Sequence, residues 1–402
     1  MVQHTLSLLL LKIDGLVTSF IGVGKYWKLK VTALSCLLVL VFSLPNYQYF
    51  FQKDNPLNIP WDYLHEKVKQ PLGENKLKLG TNEHNKQYRL TPILIGSLYD
   101  TPHKMRIVAF MTLIEHLLGA AFFYLVLKMA YEITQDKLLS SYFCMGFSFL
   151  FVGKDFFWDL ASWLIPFAYF FILLSMATRN VWIVILSLSL SFWSDERALL
   201  FSPILFLWWK LTASEKFGRL SMGYVVSVVG YFVVRFVLST YYIKGTDSYK
   251  LHPRETGADY FWCLYEQFHH IPLGLVLPFE GYWIFILMFA IYVFQSRSTP
   301  NFKWFLLAFL TFLGAVVVSY SILDTTKSLC LVFPLLFISL KLLQDNESPA
   351  FVKNVVIGAV AVSFLFPTYY FKGDYAWMTP IYYEPVKESI GWLLNTFVNK
   401  LN

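Results

Sequence analysis

RIVAFMTLIEHLLGAAFFYLVLK, from Arg106 to Lys128, is the stretch on which the fold depends. Between its terminal cations only Glu115 and His116 interrupt an apolar run that reaches the roughly 20 residues a helix needs to cross a bilayer. A helix in a water-soluble domain is apolar on one stripe, whereas this one is apolar on every side. Comparable runs lie at Lys30 to Phe50, Leu138 to Val152, Leu160 to Ala177, Val181 to Trp193 and Ala198 to Trp209. They continue at Leu220 to Tyr241, Leu275 to Phe294, Phe302 to Leu323, Ser328 to Leu342 and Val355 to Tyr370. The pattern predicts an all-α, polytopic transmembrane helix bundle of about 11 spans.

Composition agrees, with 56% hydrophobic, 19% aromatic and only 15% charged residues in 402. The net charge of +7 would suit nucleic acid, but the cations sit in short clusters between apolar runs, where the positive-inside rule places them. Nucleic-acid binding is therefore not expected. Cys36, Cys144, Cys263 and Cys330 form no CxxC pair, so neither a disulfide framework nor a zinc knuckle is implied. With the N-terminus inside, short cytoplasmic connections hold about fourteen Lys and Arg against roughly three outside. Arg179, Lys210, Lys216, Arg219, Arg297, Lys303, Lys341 and Lys353 are among them. No repeat or linker divides the chain, so residues 1–402 read as a single transmembrane domain.

That orientation makes residues 1–28 a cytoplasmic or interfacial arm, with Leu6 to Val23 read as an interfacial helix. The first loop (52–105), the second (242–271) and the tail (371–402) fall outside, on the periplasmic face if the membrane is a bacterial inner membrane. Short amphipathic stretches such as WDYLHEKVKQ predict juxtamembrane helices in the first loop. Three short charged turns face the same way: Lys154 to Asp159 (KDFFWD), Ser194 to Arg197 (SDER) and Asp324 to Lys327 (DTTK). Turns between apposed spans are expected to be neutral unless their charges are used.

Candidate chemistry therefore gathers on that face. Asp54, Asp62 and Glu66 are first-loop carboxylates that can take a proton from an attacking hydroxyl. Glu83, His84 and Arg89 follow them as candidate binding residues. In a solvated loop such groups are ordinary surface charges, the commoner state for each taken singly. His65 and Glu66, or Glu83 and His84, lack the spacing of metal ligands, so a divalent cofactor has no support and no metal ligand is assigned. Asp155, Asp195, Glu196, Arg197, Asp324 and Lys327 converge if the helices bundle; the alternative is anchoring at the membrane edge. Arg197, Lys327 or Arg235 can hold the phosphate of a lipid-linked substrate, an arginine doing so through a bidentate fork. Arg235, Glu280, Glu115 and His116 lie within spans, where a central charge costs about 2.5 to 3.5 kcal/mol and needs a partner or a wet cavity. Trp61, Trp158, Trp163, Trp193, Trp208, Trp209 and Trp262 suit interfacial belts first and sugar-stacking surfaces second.

One span, a long outer loop with acids close after it, then a many-helix body is an order that resembles the GT-C superfamily of polytopic glycosyltransferases. QYRLTPILIGSLY (Gln87 to Tyr99) looks like the YRxLxPxL-type stretch before the second span of GT-C-like bacterial membrane proteins. SDERALLFSP (Ser194 to Pro203) is similar to their DERALL-type turn, and DTTKSLCLVFPLLF (Asp324 to Phe337) to a late D-x-T-R pattern. Lys327 stands where that pattern has Arg, and Asp54 is followed by Asn55 where the superfamily often has a second carboxylate. The resemblance implies inverting transfer of a sugar from a polyprenyl-phosphate donor to a glycan, lipid or protein acceptor in the cell envelope. Asp54 or Asp62 would activate the acceptor; Arg89, Arg197, Arg235 or Lys327 would stabilise the departing phosphate. A transporter or flippase of lipid-linked saccharides also wants many helices and buried charge, but usually shows internal symmetry, which is missing here. A polysaccharide polymerase or ligase is a third outer-face reading.

Overall fold

The computed structural model describes residues 2–22, 24–43, 58–72, 88–99, 101–158, 165–242, 271–321, 325–365, 369–372 and 375–378. In chain order the helices are α1 (Val2–Ile21), α2 (Trp27–Ser43), α3 (Asn58–Lys69), α4 (Leu90–Gly96), α5 (Lys104–Thr134), α6 (Lys137–Phe147) and α7 (Phe151–Trp158). Next come α8 (Pro166–Ala177), α9 (Val181–Phe192), α10 (Arg197–Phe201), α11 (Ile204–Thr212) and α12 (Phe217–Val237), extended by a π turn over Leu238–Tyr242. The remainder are α13 (Ile271–Val276), α14 (Trp283–Gln295), α15 (Phe302–Tyr320), α16 (Thr325–Cys330), α17 (Pro334–Asn346) and α18 (Pro349–Leu365). The expected helices over WDYLHEKVKQ and over the N-terminal apolar stretch are present as α3 and α1.

Among the described residues three helical stretches are long and apolar enough to cross a membrane: Lys104–Thr134 with 31 residues, Ser214–Tyr241 with 28 and Phe302–Tyr320 with 19. Met222, Val225, Val229, Phe232, Val233 and Phe236 of α12 are all exposed, an apolar outer surface that water solvates poorly and lipid well. α5 ends where Gln135 turns into the left-handed region at φ 54°. Asp136 then starts α6, its carboxylate accepting from the backbone N–H of Leu138 and Leu139.

Other runs read as single spans are divided. Leu138 to Val152 breaks into α6 and α7, Ala198 to Trp209 into α10 and α11, and Ser328 to Leu342 into α16 and α17. Leu275 to Phe294 is interrupted by a turn and a short 3₁₀ segment, Glu280–Tyr282. Pro203, Pro278 and Pro334 stand at three of these breaks, each lacking the N–H that would continue the helix. At the fourth, Gly153 comes so close to the Phe147 carbonyl that a Cβ would lie 2.1 Å from its oxygen, so the chain turns there only on glycine.

The core is strongly aromatic. Phe122 of α5 packs on Phe156 of α7 at 5.0 Å between ring centres, and Phe143 of α6 meets Phe285 of α14 edge to face at 5.5 Å. Tyr282 inserts beside Gly146 and donates to the Phe143 carbonyl at 2.7 Å. At one end of the bundle Asp14 of α1 accepts from Tyr142 of α6 and pairs with Lys353 of α18, each at 2.7 Å. Burial works to raise the Asp14 carboxyl, but the bonds from Lys353 and Tyr142 prevail and hold it below the ordinary range. Near the other end a small antiparallel hairpin, absent from the all-α expectation, pairs Tyr369–Lys372 with Tyr375–Met378, with Tyr369 opposite Met378. Its first strand lies beside α16.

Candidate functional site

The SDER turn joins α9 to α10, and its backbone is fixed before any long-range contact. The N–H groups of Ser194 and Asp195 both close on the Ser191 carbonyl, and Ala198 N–H bonds to the Asp195 carbonyl. Asp195 Oδ1 accepts from the Arg197 backbone N–H at 2.9 Å and from Arg197 Nε at 2.8 Å; Oδ2 receives Arg197 Nη2 at 2.7 Å. Arg197 Nη1 donates onward to Ser328 Oγ of α16, so the SDER and DTTK segments meet. A second cation arrives from the first loop: Arg89 Nη2 lies 3.0 Å from Asp195 Oδ2, and Arg89 Nε lies 3.4 Å from Glu196 Oε2. The Asp195 side chain is 0% exposed. Burial pushes its carboxyl up, yet Arg197 and Arg89 outweigh that and hold it at about 2.

Arg89 is delivered by a strap. The Thr91 N–H donates to the Trp193 carbonyl at 3.1 Å and the Thr91 hydroxyl to the Leu190 carbonyl at 2.8 Å, tying the start of α4 to the end of α9. Arg235 of α12 stacks over the Tyr88 ring at 4.3 Å and donates to the Tyr231 hydroxyl, while Trp193 rests on Tyr231 with 4.8 Å between ring centres. On the other flank Lys327 Nζ stands 4.0 Å from Asp155 Oδ1, and the Lys327 carbonyl accepts from the Tyr169 hydroxyl at 2.9 Å. Lys154 is buried next to Asp155 in the field of Glu280, whose backbone adopts the left-handed conformation at φ 45°. His116 of α5 reaches the same short helix, its Nδ1 at 2.9 Å from the Phe156 carbonyl oxygen.

Arg89, Asp155, Asp195, Glu196, Arg197, Arg235 and Lys327 are thus brought to one end of the bundle. Asp62 and Glu66 are not among them. Both occupy the exposed side of α3, where Asp62 pairs with Lys104 at 2.7 Å, while Trp61 and Val68 face inward. Asp54, Glu83, His84 and Asp324 lie outside the described residues. One expectation is corrected. Lys154 and Asp155 are not in an exposed turn but inside the helix α7, fully packed. The Arg197 fork is occupied by Asp195 and Ser328, and the Arg89 guanidinium likewise meets Asp195 and Glu196.

Sequence reasoning did not single out Ser328, Tyr88, Tyr231 or Tyr169 for this site. The signal for Tyr231 lay in its spacing, four residues before Arg235 on one helix face; serine in an apolar run gave none. Among the described residues no three His, Cys, Asp or Glu side chains gather as metal ligands. Against family models, curated proteins and solved structures, the chain matches none.

Proposed function

We propose that this chain is a membrane-embedded, GT-C-like glycosyltransferase. It moves a sugar from a polyprenyl-phosphate donor to an acceptor on the non-cytoplasmic face, with the N-terminus cytoplasmic and about eleven spans. One observation carries the reading: Arg89, Arg197, Arg235, Lys154 and Lys327 are buried together at one end of an apolar bundle, threaded by Asp155, Asp195, Glu196 and Glu280. Burying so many charges is costly unless they serve one another and a ligand. A lipid-borne phosphate reaches such a site from the side, its chain in the bilayer and its charge at the membrane edge.

The reaction is a single displacement at the anomeric carbon. The acceptor oxygen loses its proton to a carboxylate as its bond to the sugar forms, and the bond to the phosphate breaks with its electrons. Lys327 and Arg89 are suited to the charge that develops on the phosphate, and Asp195 and Glu196 hold Arg89 in place. The superfamily resemblance gives the base role to Asp54 or Asp62.

Transfer of labelled sugar from polyprenyl-phosphate donors in proteoliposomes tests this, comparing wild type with Asp54→Asn, Asp62→Asn and Lys327→Gln. Transfer that falls by about 10²-fold or more in Lys327→Gln, in protein that still inserts, supports the transferase. No transfer from any donor, with protein-dependent movement of a lipid-linked saccharide across the bilayer, would replace it with a flippase.

A further inference from the structure

At the end of the bundle away from the SDER turn, some cations pair with acids and others rest on aromatic rings. Lys128 meets Glu132 at 3.8 Å and Lys353 meets Asp14 at 2.7 Å. Lys28, at the start of α2, and Lys137, at the start of α6, are half-buried and have no ion pair among the described residues. Both ammonium groups stand over the ring of the buried Trp27, each 5.8 Å from its centre, and Lys28 is also 5.2 Å from the centre of the Tyr131 ring. Trp27 and Tyr131 pack edge to face at 5.2 Å. Asp136, the acid next to Lys137 in the chain, turns Oδ1 to the N–H groups of Leu138 and Leu139. Two like charges gathered at one indole repel each other, and the ring offsets only part of that. An anion that reaches both removes the repulsion.

The surroundings decide what kind of anion fits. Leu29, Leu37 and Val41 recur at multiples of four residues along α2 and are all exposed, an apolar track that begins beside Lys28 and runs away from the end of the bundle. On α1, Val17 and Ile21 pack on the core while Ile13, Leu16 and Phe20 are exposed, and Lys30 donates to the Phe20 carbonyl at 3.4 Å where that helix ends. A helix with one apolar face turned outward at the rim of a membrane bundle lies along the boundary between headgroups and acyl chains. A free anion has no use for such surfaces, whereas a lipid uses both. We propose that Lys28 and Lys137 form a headgroup site for an anionic phospholipid, its phosphate meeting both ammonium groups and its acyl chains lying along Leu29, Leu37 and Val41. The site is remote from Arg89 and Lys327 and does not depend on the transferase reading.

The test is native mass spectrometry of the full chain in detergent micelles, titrated with phosphatidylglycerol and separately with phosphatidylcholine, whose headgroup carries no net charge. Wild type is expected to retain phosphatidylglycerol in preference. Lys28→Gln or Lys137→Gln is expected to weaken that binding about 5-fold, and the two together about 30-fold. Lys28→Arg with Lys137→Arg, which keeps both charges, is expected to preserve it. Removing as much charge from the opposite end of α5, by Lys104→Gln with Arg106→Gln, is expected to change it by less than about 2-fold, since that end lies well beyond the screening length. Wild-type binding in the double glutamine variant, or equal retention of the two lipids, would overturn the site. So would an equal fall in the opposite-end control, which would make the attraction one of overall charge. Loss of binding in the double arginine variant as well would make the two lysines structural. Displacement of the lipid by soluble glycerol phosphate at matching concentration would replace the lipid with a free anion.

Discussion

Replacing Asp195 by asparagine keeps the shape of the side chain and removes the charge that Arg197 and Arg89 share. Breaking a buried ion pair from one side costs about 3 to 5 kcal/mol, because the surviving cations stay buried without compensation. Asp195→Asn is therefore expected to lower the melting temperature in detergent markedly, and Asp195→Asn with Arg197→Met to recover part of the loss. An unchanged melting temperature in the single variant would mean that the cluster does not hold the turn. The same pair sets a pH dependence. The folded carboxyl titrates at about 2 against an ordinary 3.8, so its stabilisation is complete above the unfolded value and disappears as pH falls from about 4 through about 2. Light-scattering-controlled melts should show no loss attributable to this site between pH 7 and pH 5. At Gly146 the constraint is steric: a Cβ would fall 1.9 Å from the Tyr282 hydroxyl, so Gly146→Ala must expel the ring and its bond to Phe143. A destabilisation of about 1 to 3 kcal/mol is expected by denaturant titration. Residue types alone marked Asp195, Glu196, Arg197 and Lys327, because charge between apolar runs is conspicuous. They did not mark Ser328 or Tyr88, whose roles exist only once α16 and the first loop arrive at the turn.

At the scale of elements, hydropathy located the apolar helices but not their breaks. An apolar run reads the same whether it is one helix or two short ones, and α6 with α7, or α16 with α17, became legible only through Gly153 and Pro334. Those breaks matter for the site, since they make the short helices α7, α10 and α16 that carry Asp155, Arg197 and Lys327 to one place. Asp62 illustrates the converse. Its amphipathic helix was predictable, yet which acids of the first loop approach the turns depends on tertiary contacts, and Asp62, on the exposed side of α3, pairs with Lys104 at the start of α5 and not with the cluster. The outer face of α12 offers a direct check on the solvent it meets. Val229 is 55% exposed near the middle of the Ser214–Tyr241 stretch. Val229→Asp is expected to cost about 2.5 to 3.5 kcal/mol of insertion free energy if lipid surrounds it. The yield resistant to carbonate extraction should fall accordingly, whereas a water-facing helix would tolerate the aspartate or gain solubility.

For the whole molecule the decisive question is which end faces which side, and the two ends differ in a way that makes an answer testable. The end bearing the SDER turn is joined to α4 through Thr91 and to α16 through Arg197. The opposite end of α9 carries Arg179, which donates to Thr212 at the end of α11, near the exposed cations of the next turn. Two connections from different parts of the chain thus share one end with the basic loops, and two others share the end with the buried cluster. In the proposed orientation, which follows the positive-inside rule, Arg179 and Lys216 are expected in the cytoplasm and Arg89 outside. In a background with its cysteines replaced by serine, Ser97→Cys should react with a membrane-impermeant maleimide added to intact spheroplasts. Ser214→Cys should react only after the membrane is opened. The reverse pattern would place the charged cluster on the cytoplasmic side, where nucleotide-linked donors are available and a lipid-borne sugar is no longer required. In that case transfer should be sought from nucleotide sugars, and the likeness of the Gln87 to Tyr99, Ser194 to Pro203 and Asp324 to Phe337 stretches to GT-C-like proteins would lose its functional meaning.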